Sequence, residues 1–207
     1  MDSRDKAQSG VEDCRPLQWL AMYSATHSVQ AVRDTDLARP TPCAGWTVRD
    51  LLRHMVGHNR GFAAELEGRT PDPVIWNGLD LGLDPRPHWG ESARRVVAAF
   101  TARTSLTEKI QIAGFGTVTV AQGARMHAID YLVHAWDVSV AIGQAADLDE
   151  GACRRVLKIA ESWPTGHPDI WGPGAPFGQP VVVDDDAPPS HRMLGLLGRA
   201  PGWPQVP

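Results

Sequence analysis

Val120-Ala121-Gln122-Gly123-Ala124-Arg125-Met126-His127-Ala128-Ile129-Asp130-Tyr131-Leu132-Val133-His134-Ala135-Trp136-Asp137-Val138 is the stretch on which the fold turns. Its large apolar residues, Met126, Ile129, Leu132, Val133, Trp136 and Val138, with Val140 just beyond, fall on nearly every side of a helical wheel. The spacing therefore predicts a helix over 120–143 that is central and buried. A helix apolar all round needs other helices around it, and little strand signal competes, so the chain reads as all-α. Into this apolar surface are set His127, Asp130 and His134 at i, i+3 and i+7, a single narrow stripe. An unpaired carboxylate or imidazolium is costly to bury, so these groups should be paired or hold a metal ion. Asp130 and His134 have the i, i+4 spacing that lets two side chains of one helix reach the same ion.

Working outward, a second helix announces itself sharply. Thr47 is a good N-cap, and Asp50 three residues on completes a capping-box pattern. Val48, Leu51, Leu52, Met55, Phe62 and Leu66 form its apolar stripe, and Gly68 ends it after about Glu67. This helix offers His54 and His58, also at i, i+4, with Glu65 on roughly the same face. Facing helices of a bundle are a usual place to assemble a metal site from inward side chains. Further helices are expected over 16–36, 91–103 and 149–162, with a short helical patch at 190–198. Residues 69–90, rich in Pro, Gly and Asp, read as a long loop. Residues 109–120 hold Gly114-Phe115-Gly116 between β-branched residues, as a short hairpin or an extended connection would. The expected division is a helical metal-binding bundle over 1–163 and a Pro/Gly-rich tail over 164–207 that packs on it.

Composition narrows the function classes. The 207 residues carry a net charge of −4, which disfavours a nucleic-acid partner. No apolar run is long enough to span a membrane, and the first thirteen residues lack the apolar core of a secretory signal. The expectation is a cytoplasmic protein, monomer or homodimer, acting on a small molecule. Eight His stand against three Cys, Cys14, Cys43 and Cys153, which are far apart in sequence. A disulfide scaffold or Cys-rich zinc finger is therefore excluded, and any metal should be held by imidazole and carboxylate. Most of the eight Trp are expected to be core or loop anchors.

A lone histidine on an apolar helix is more often a hydrogen-bonded core residue than a ligand. Two helices that independently carry polar stripes shift the balance toward a site. His127 stays open between ligand, orienting partner of a ligand and substrate contact. His58 lies further from the apolar stripe. Asp137, one turn past His134, reads as a salt-bridging or imidazole-orienting residue. Arg53 or Arg125 would bind a substrate carboxylate. Cys43, just before a helix, reads as a structural loop residue, and His27, His88, His167 and His191 as surface or loop residues.

Two of these segments also resemble a known family. Pro40-Thr41-Pro42-Cys43-Ala44-Gly45-Trp46-Thr47-Val48-Arg49-Asp50-Leu51-Leu52, ending at His54, is similar to the start of helix two in the maleylpyruvate isomerase N-terminal-domain family, a mainly actinobacterial branch of the DinB-like metal-binding superfamily. His127 to Val138 resembles that family's helix-four signature, and the tail segments Gly174–Gly178, Asp186–Pro188 and Leu194–Arg199 match as well. The resemblance implies a four-helix up-down-down-up bundle with one divalent metal, zinc or nickel. It maps the metal ligands onto His54, Asp130 and His134. It also implies a thiol cofactor, mycothiol, in an isomerase or thiol transferase, where the metal holds the thiol as thiolate. Three protein ligands leave a coordination position open, the pattern of a catalytic site.

The chain departs from the family in three places. Asp130 stands where the isomerases carry the longer Glu, which leaves His127 as a competing third ligand. His58 is an additional imidazole. The tail does not look like the larger second domain of full-length isomerases. The leading reading is a metal-dependent enzyme that joins a thiol to a small organic electrophile, with His127, His58 and Arg125 as candidate catalytic groups. The alternatives are a thiol-independent metal-assisted hydrolase or cyclase of secondary metabolism, and a non-catalytic bundle that binds a small ligand.

Overall fold

Thr119 starts the central helix with a reciprocal cap. Its hydroxyl accepts from the Gln122 amide at 3.1 Å, and its own amide donates to Gln122 Oε1 at 2.8 Å. The computed structural model describes residues 11–164 and 167–204. Its helices are α1 (Arg15–Gln30), α2 (Val48–Leu66), α3 (Pro73–Trp76), α4 (Trp89–Ala102), α5 (Val120–Ala141), α6 (Glu150–Glu161) and α7 (Pro189–Leu196). Among the described residues, the strands are β1 (Lys109–Ile112) and β2 (Gly116–Thr119). The fold is thus all-α apart from one hairpin, as the apolar periodicity predicts.

The capping box at the head of α2 forms as expected. Thr47 Oγ1 accepts from the Asp50 amide, and Asp50 Oδ2 accepts from the Thr47 amide at 3.0 Å. This satisfies two otherwise orphaned donors and sets where the helix starts, and so which way His54 and His58 face. The hairpin pairs Ile110 with Val118 and Ile112 with Gly116, and it turns through Gly114 and Gly116, both at positive φ. Ile110 and Ile112 are buried, and β2 runs directly into α5.

α5 lies at the centre. It packs along α1 and on α2, while α4 packs on both α1 and α2, so these four helices enclose one contiguous apolar core. Tyr131, Leu132, Ala135 and Val138 of α5 are fully buried. After α6, α7 lies back on α6, and Trp171 donates its indole N–H to the Leu196 carbonyl at 2.9 Å.

Three local expectations are corrected. The first helix ends at Gln30, not 36, because Asp36 folds back to accept from the Arg33 amide and guanidinium and closes a separate 3-10 turn. Residues 69–90 are not a bare loop. They hold α3 and two 3-10 turns, because Trp76 is buried against the side-chain-free surface of Gly57 and Gly61 on α2. α4 begins at Trp89, two residues early, with Trp89 itself buried. Trp76, Trp89, Trp136 and Trp171 are core residues, whereas Trp19 and Trp46 are exposed. No helix among the described residues is long and apolar enough to cross a membrane.

Candidate metal centre

α2 and α5 bring their polar stripes together. His54 Nε2 lies 3.6 Å from Asp130 Oδ2, His58 Nδ1 lies 3.9 Å from the same oxygen, and His134 Nε2 lies 3.1 Å from Asp130 Oδ1. The His54 ring also meets the His58 ring at 3.9 Å and the His134 ring edge-on at 5.1 Å. Asp130 is therefore the hub on which three imidazoles converge, and its side chain is 29% exposed. Trp46 leans on His54 at 5.2 Å, and Trp76 meets His58 edge-on at 5.7 Å, so indoles flank the cluster.

Among the described residues, two buried polar atoms of this cluster, His54 Nε2 and Asp130 Oδ2, have no hydrogen-bond partner. Buried polar groups are nearly always paired, so each such atom calls for a physical reason. Facing nitrogen and carboxylate donors that satisfy neither each other nor a neighbour are what a cation site requires. His54, His58 and Asp130 each present a ligand atom within one 4.8 Å cluster, and Cys43, His134 and Asp137 form a second such cluster beside it. Imidazole and carboxylate suit zinc and nickel. The residues present thus fit a divalent cation.

His134 links the two clusters. Its Nδ1 lies 2.9 Å from Asp137 Oδ2. Asp137 is an ionised acceptor with no exposed surface: Arg199 donates to Oδ1 at 2.8 Å and to Oδ2 at 2.9 Å, and the Cys43 thiol donates to Oδ2 at 3.3 Å. The Nδ1 hydrogen of His134 must therefore point at Asp137. In a neutral ring this leaves a lone pair on Nε2, aimed at the equally acceptor-like Asp130 Oδ1. Two acceptors at 3.1 Å need a positive charge between them, either a proton on Nε2 or a metal ion.

The electrostatics follow from these contacts. Burial works against the Asp130 charge, but His134 and then His54 outweigh it and hold the carboxyl well below its ordinary range. Burial likewise works against the His134 charge, but Asp130 and Asp137 outweigh it and raise that imidazole well above its usual value. His58 is pushed down to about 3 by burial and by the neighbouring His54, so it is neutral at physiological pH. Burial would raise Asp137, but Arg199 and His134 keep it low.

The remaining sequence candidates lie elsewhere. His127 is buried one turn away. Its Nε2 donates to Asn59 Oδ1 at 3.2 Å, its Nδ1 faces the Gln18 amide nitrogen at 3.5 Å, and its ring stacks on Tyr131 at 4.0 Å. It joins neither donor cluster. Glu65 caps the hairpin instead, accepting from the Gln111 amide. Arg53 is bonded to the Gly82 carbonyl. Arg125 sits about 140° from Asp130 around α5, where its charge acts on Cys14. Sequence reading alone left Arg199 and Cys43 outside the site, because nothing local in the chain ties either to Asp137.

Comparison with known proteins identifies the family. Residues 21–139 match the family model described as mycothiol maleylpyruvate isomerase N-terminal domain. The chain belongs to this family. The matched span of the mycothiol maleylpyruvate isomerase N-terminal domain contains His54, His58, Asp130, His134 and Asp137, while Arg199 lies beyond it. Two uncharacterized proteins of Mycobacterium tuberculosis, from two strains, are each 31% identical over 173 residues, covering 81% of this chain and 87% of theirs. Among solved structures, the mycothiol-dependent maleylpyruvate isomerase and a histidine-to-alanine mutant of it superpose with a TM-score of 0.56 at 21% and 20% identity. Each match covers 71% of this chain and 68% of theirs, and it establishes a shared helical fold.

Proposed function

We propose that this family member is a metal-dependent enzyme that uses a low-molecular-weight thiol, mycothiol, to transfer to or isomerise a small organic electrophile. The observation that carries the reading is the pair of unpartnered atoms, His54 Nε2 and Asp130 Oδ2, facing each other at 3.6 Å beside two further imidazoles. His54, Asp130 and His134 would hold the cation, and His58 is the adjacent donor. When bound, a divalent cation of this kind stabilises a thiol as its thiolate. The thiol reading draws on the family and on the mycothiol-dependent isomerase that shares the fold.

The chain's own residues supply the rest. Asp130 supplies the negative charge that attracts a cation. Neutral His58 adds no competing positive charge, and its Nδ1 lies 3.9 Å from Asp130 Oδ2 as an adjacent nitrogen of the cluster. Trp46, 38% exposed beside His54, offers a flat apolar surface on which a conjugated electrophile can stack. Arg53 is held by the Gly82 carbonyl, and the Arg125 charge acts on Cys14.

Elemental analysis of protein purified without chelator tests the metal reading. We expect one bound equivalent, lost in His54→Ala and in His134→Ala; unchanged metal content in both variants would refute it. Turnover of a model electrophile with and without mycothiol tests the thiol reading, and thiol-independent turnover would favour a metal-assisted hydrolase or cyclase. A non-catalytic ligand-binding bundle would need all three groups to satisfy one another. Asp130 and His134 do so, but His54 does not.

A further inference from the structure

The segment that follows α7 reaches back to the candidate metal centre through one side chain, Arg199. Arg199 is 8% exposed and grips both oxygens of Asp137, from Nε at 2.8 Å and from the terminal guanidinium nitrogen at 2.9 Å. The same terminal nitrogen donates to Cys43 Sγ at 3.3 Å. Asp137 in turn receives the Nδ1 hydrogen of His134. The line Arg199–Asp137–His134–Asp130 thus runs from the tail to the hub of the cluster.

The tail is shaped to deliver this arginine. Gly198 has φ +75°, and a Cβ there would lie 2.5 Å from the Gly178 carbonyl oxygen, so both the turn and the close approach require glycine. The Arg199 amide donates to the Leu194 carbonyl at 2.8 Å, closing the end of α7. Two glycine-containing tail segments, 174–178 and 194–199, therefore meet at one backbone contact, and that contact aims the guanidinium into the protein.

We propose that Asp137 and Arg199 are positioning residues, and that the tail is part of the metal centre through them. Their pair fixes His134 as the tautomer with hydrogen on Nδ1 and presents Nε2, beside Asp130, to a cation. A carboxylate alone in this buried position would be poorly compensated. Paired bidentately with an arginine, it stays ionised and correctly oriented. This inference rests on the metal reading above for its consequence, though not for the tautomer itself. Carboxylate partners that orient a metal-binding histidine alter affinity by about ten- to a hundredfold when removed.

The test uses the full chain and three variants. The double variant Asp137→Asn/Arg199→Met removes both charges together, so neither is left buried alone. Arg199→Met breaks the clamp, and Gly198→Ala moves Arg199 without altering any charged group. Circular dichroism checks folding, zinc affinity is measured by competition with a chromophoric chelator, and nitrogen-15 NMR of the histidine rings reads the His134 Nδ1–H directly. In the parent we expect a slowly exchanging Nδ1–H signal with or without zinc. In the folded double variant we expect that signal to be lost and zinc affinity to fall about ten- to a hundredfold, with Gly198→Ala weakened in the same direction. Parent-like affinity in the folded double variant, or a parent His134 that lacks the Nδ1–H signal, would overturn the proposal. A parent that shows the signal yet takes up no zinc would instead overturn the metal reading of the preceding section and leave the tautomer assignment standing.

Discussion

His127 should make the stability of this protein depend on pH in a way that one substitution isolates. Its ring is 1% exposed and sits in a hydrogen-bond chain that only a neutral imidazole completes. The Gln18 amide donates to Nδ1, Nε2–H donates to Asn59 Oδ1, the Asn59 amide donates to Ser92 Oγ at 3.3 Å, and Ser92 donates to the Trp89 carbonyl. Burial drives its pKa from 6.5 down to about 3. Because the folded value lies below the unfolded one, the unfolded chain binds the proton more readily in the window between them. The stabilisation is fully present above pH 6.5, is lost as pH falls below it, and levels off near pH 3. At about 1.4 kcal/mol per pH unit, the loss reaches about 2 kcal/mol by pH 5. Urea unfolding of the parent and His127→Gln at pH 7.5 and pH 5 measures this. The variant should be less stable at pH 7.5, because it loses the ring stacked on Tyr131, and the gap should shrink by about 2 kcal/mol at pH 5. All groups other than residue 127 are common to the two proteins, so their contributions cancel in the difference. A gap that stays constant across the two pH values would refute the neutral, buried His127.

Two further outcomes probe how the site is held. Thr47→Ala removes the hydroxyl half of the α2 capping box and should cost about 1 kcal/mol in chemical denaturation. A cost below the measurement error would mean that the cap does not set the start of the helix. Gly61→Ala places a methyl group inside the Trp76 ring. The gain in helix propensity of about 1 kcal/mol is outweighed by overpacking of about 1–3 kcal/mol, so the melting temperature should fall. An unchanged or higher melting temperature would show that Trp76 is not seated on Gly61.

Much of the helix layout was legible because its signals are local. Thr47 with Asp50 fixes a helix start from within four residues, and the all-round apolar character of 120–141 marks a central helix without reference to anything else in the chain. The juxtaposition of His54 with Asp130 and His134 was also accessible, since an i, i+4 spacing on each of two helices survives any packing that makes them face each other. Three things were not. The helical turns in 69–90 depend on Trp76 finding the flat surface of Gly57 and Gly61, a contact between two elements that neither segment signals alone. The separation of His127 from the His54–Asp130–His134 cluster turns on which neighbours flank α5: His127, 60° round the helix from Asp130, meets Gln18 and Asn59 instead of another imidazole. The role of Arg199 spans 62 residues to Asp137, and it depends on two opposite charges offsetting each other's desolvation when buried as a pair. Periodicity and capping are properties of a segment, whereas desolvated charge pairing belongs to the packed chain, so the amino-acid order fixes which helices form and folding settles which polar groups share a site.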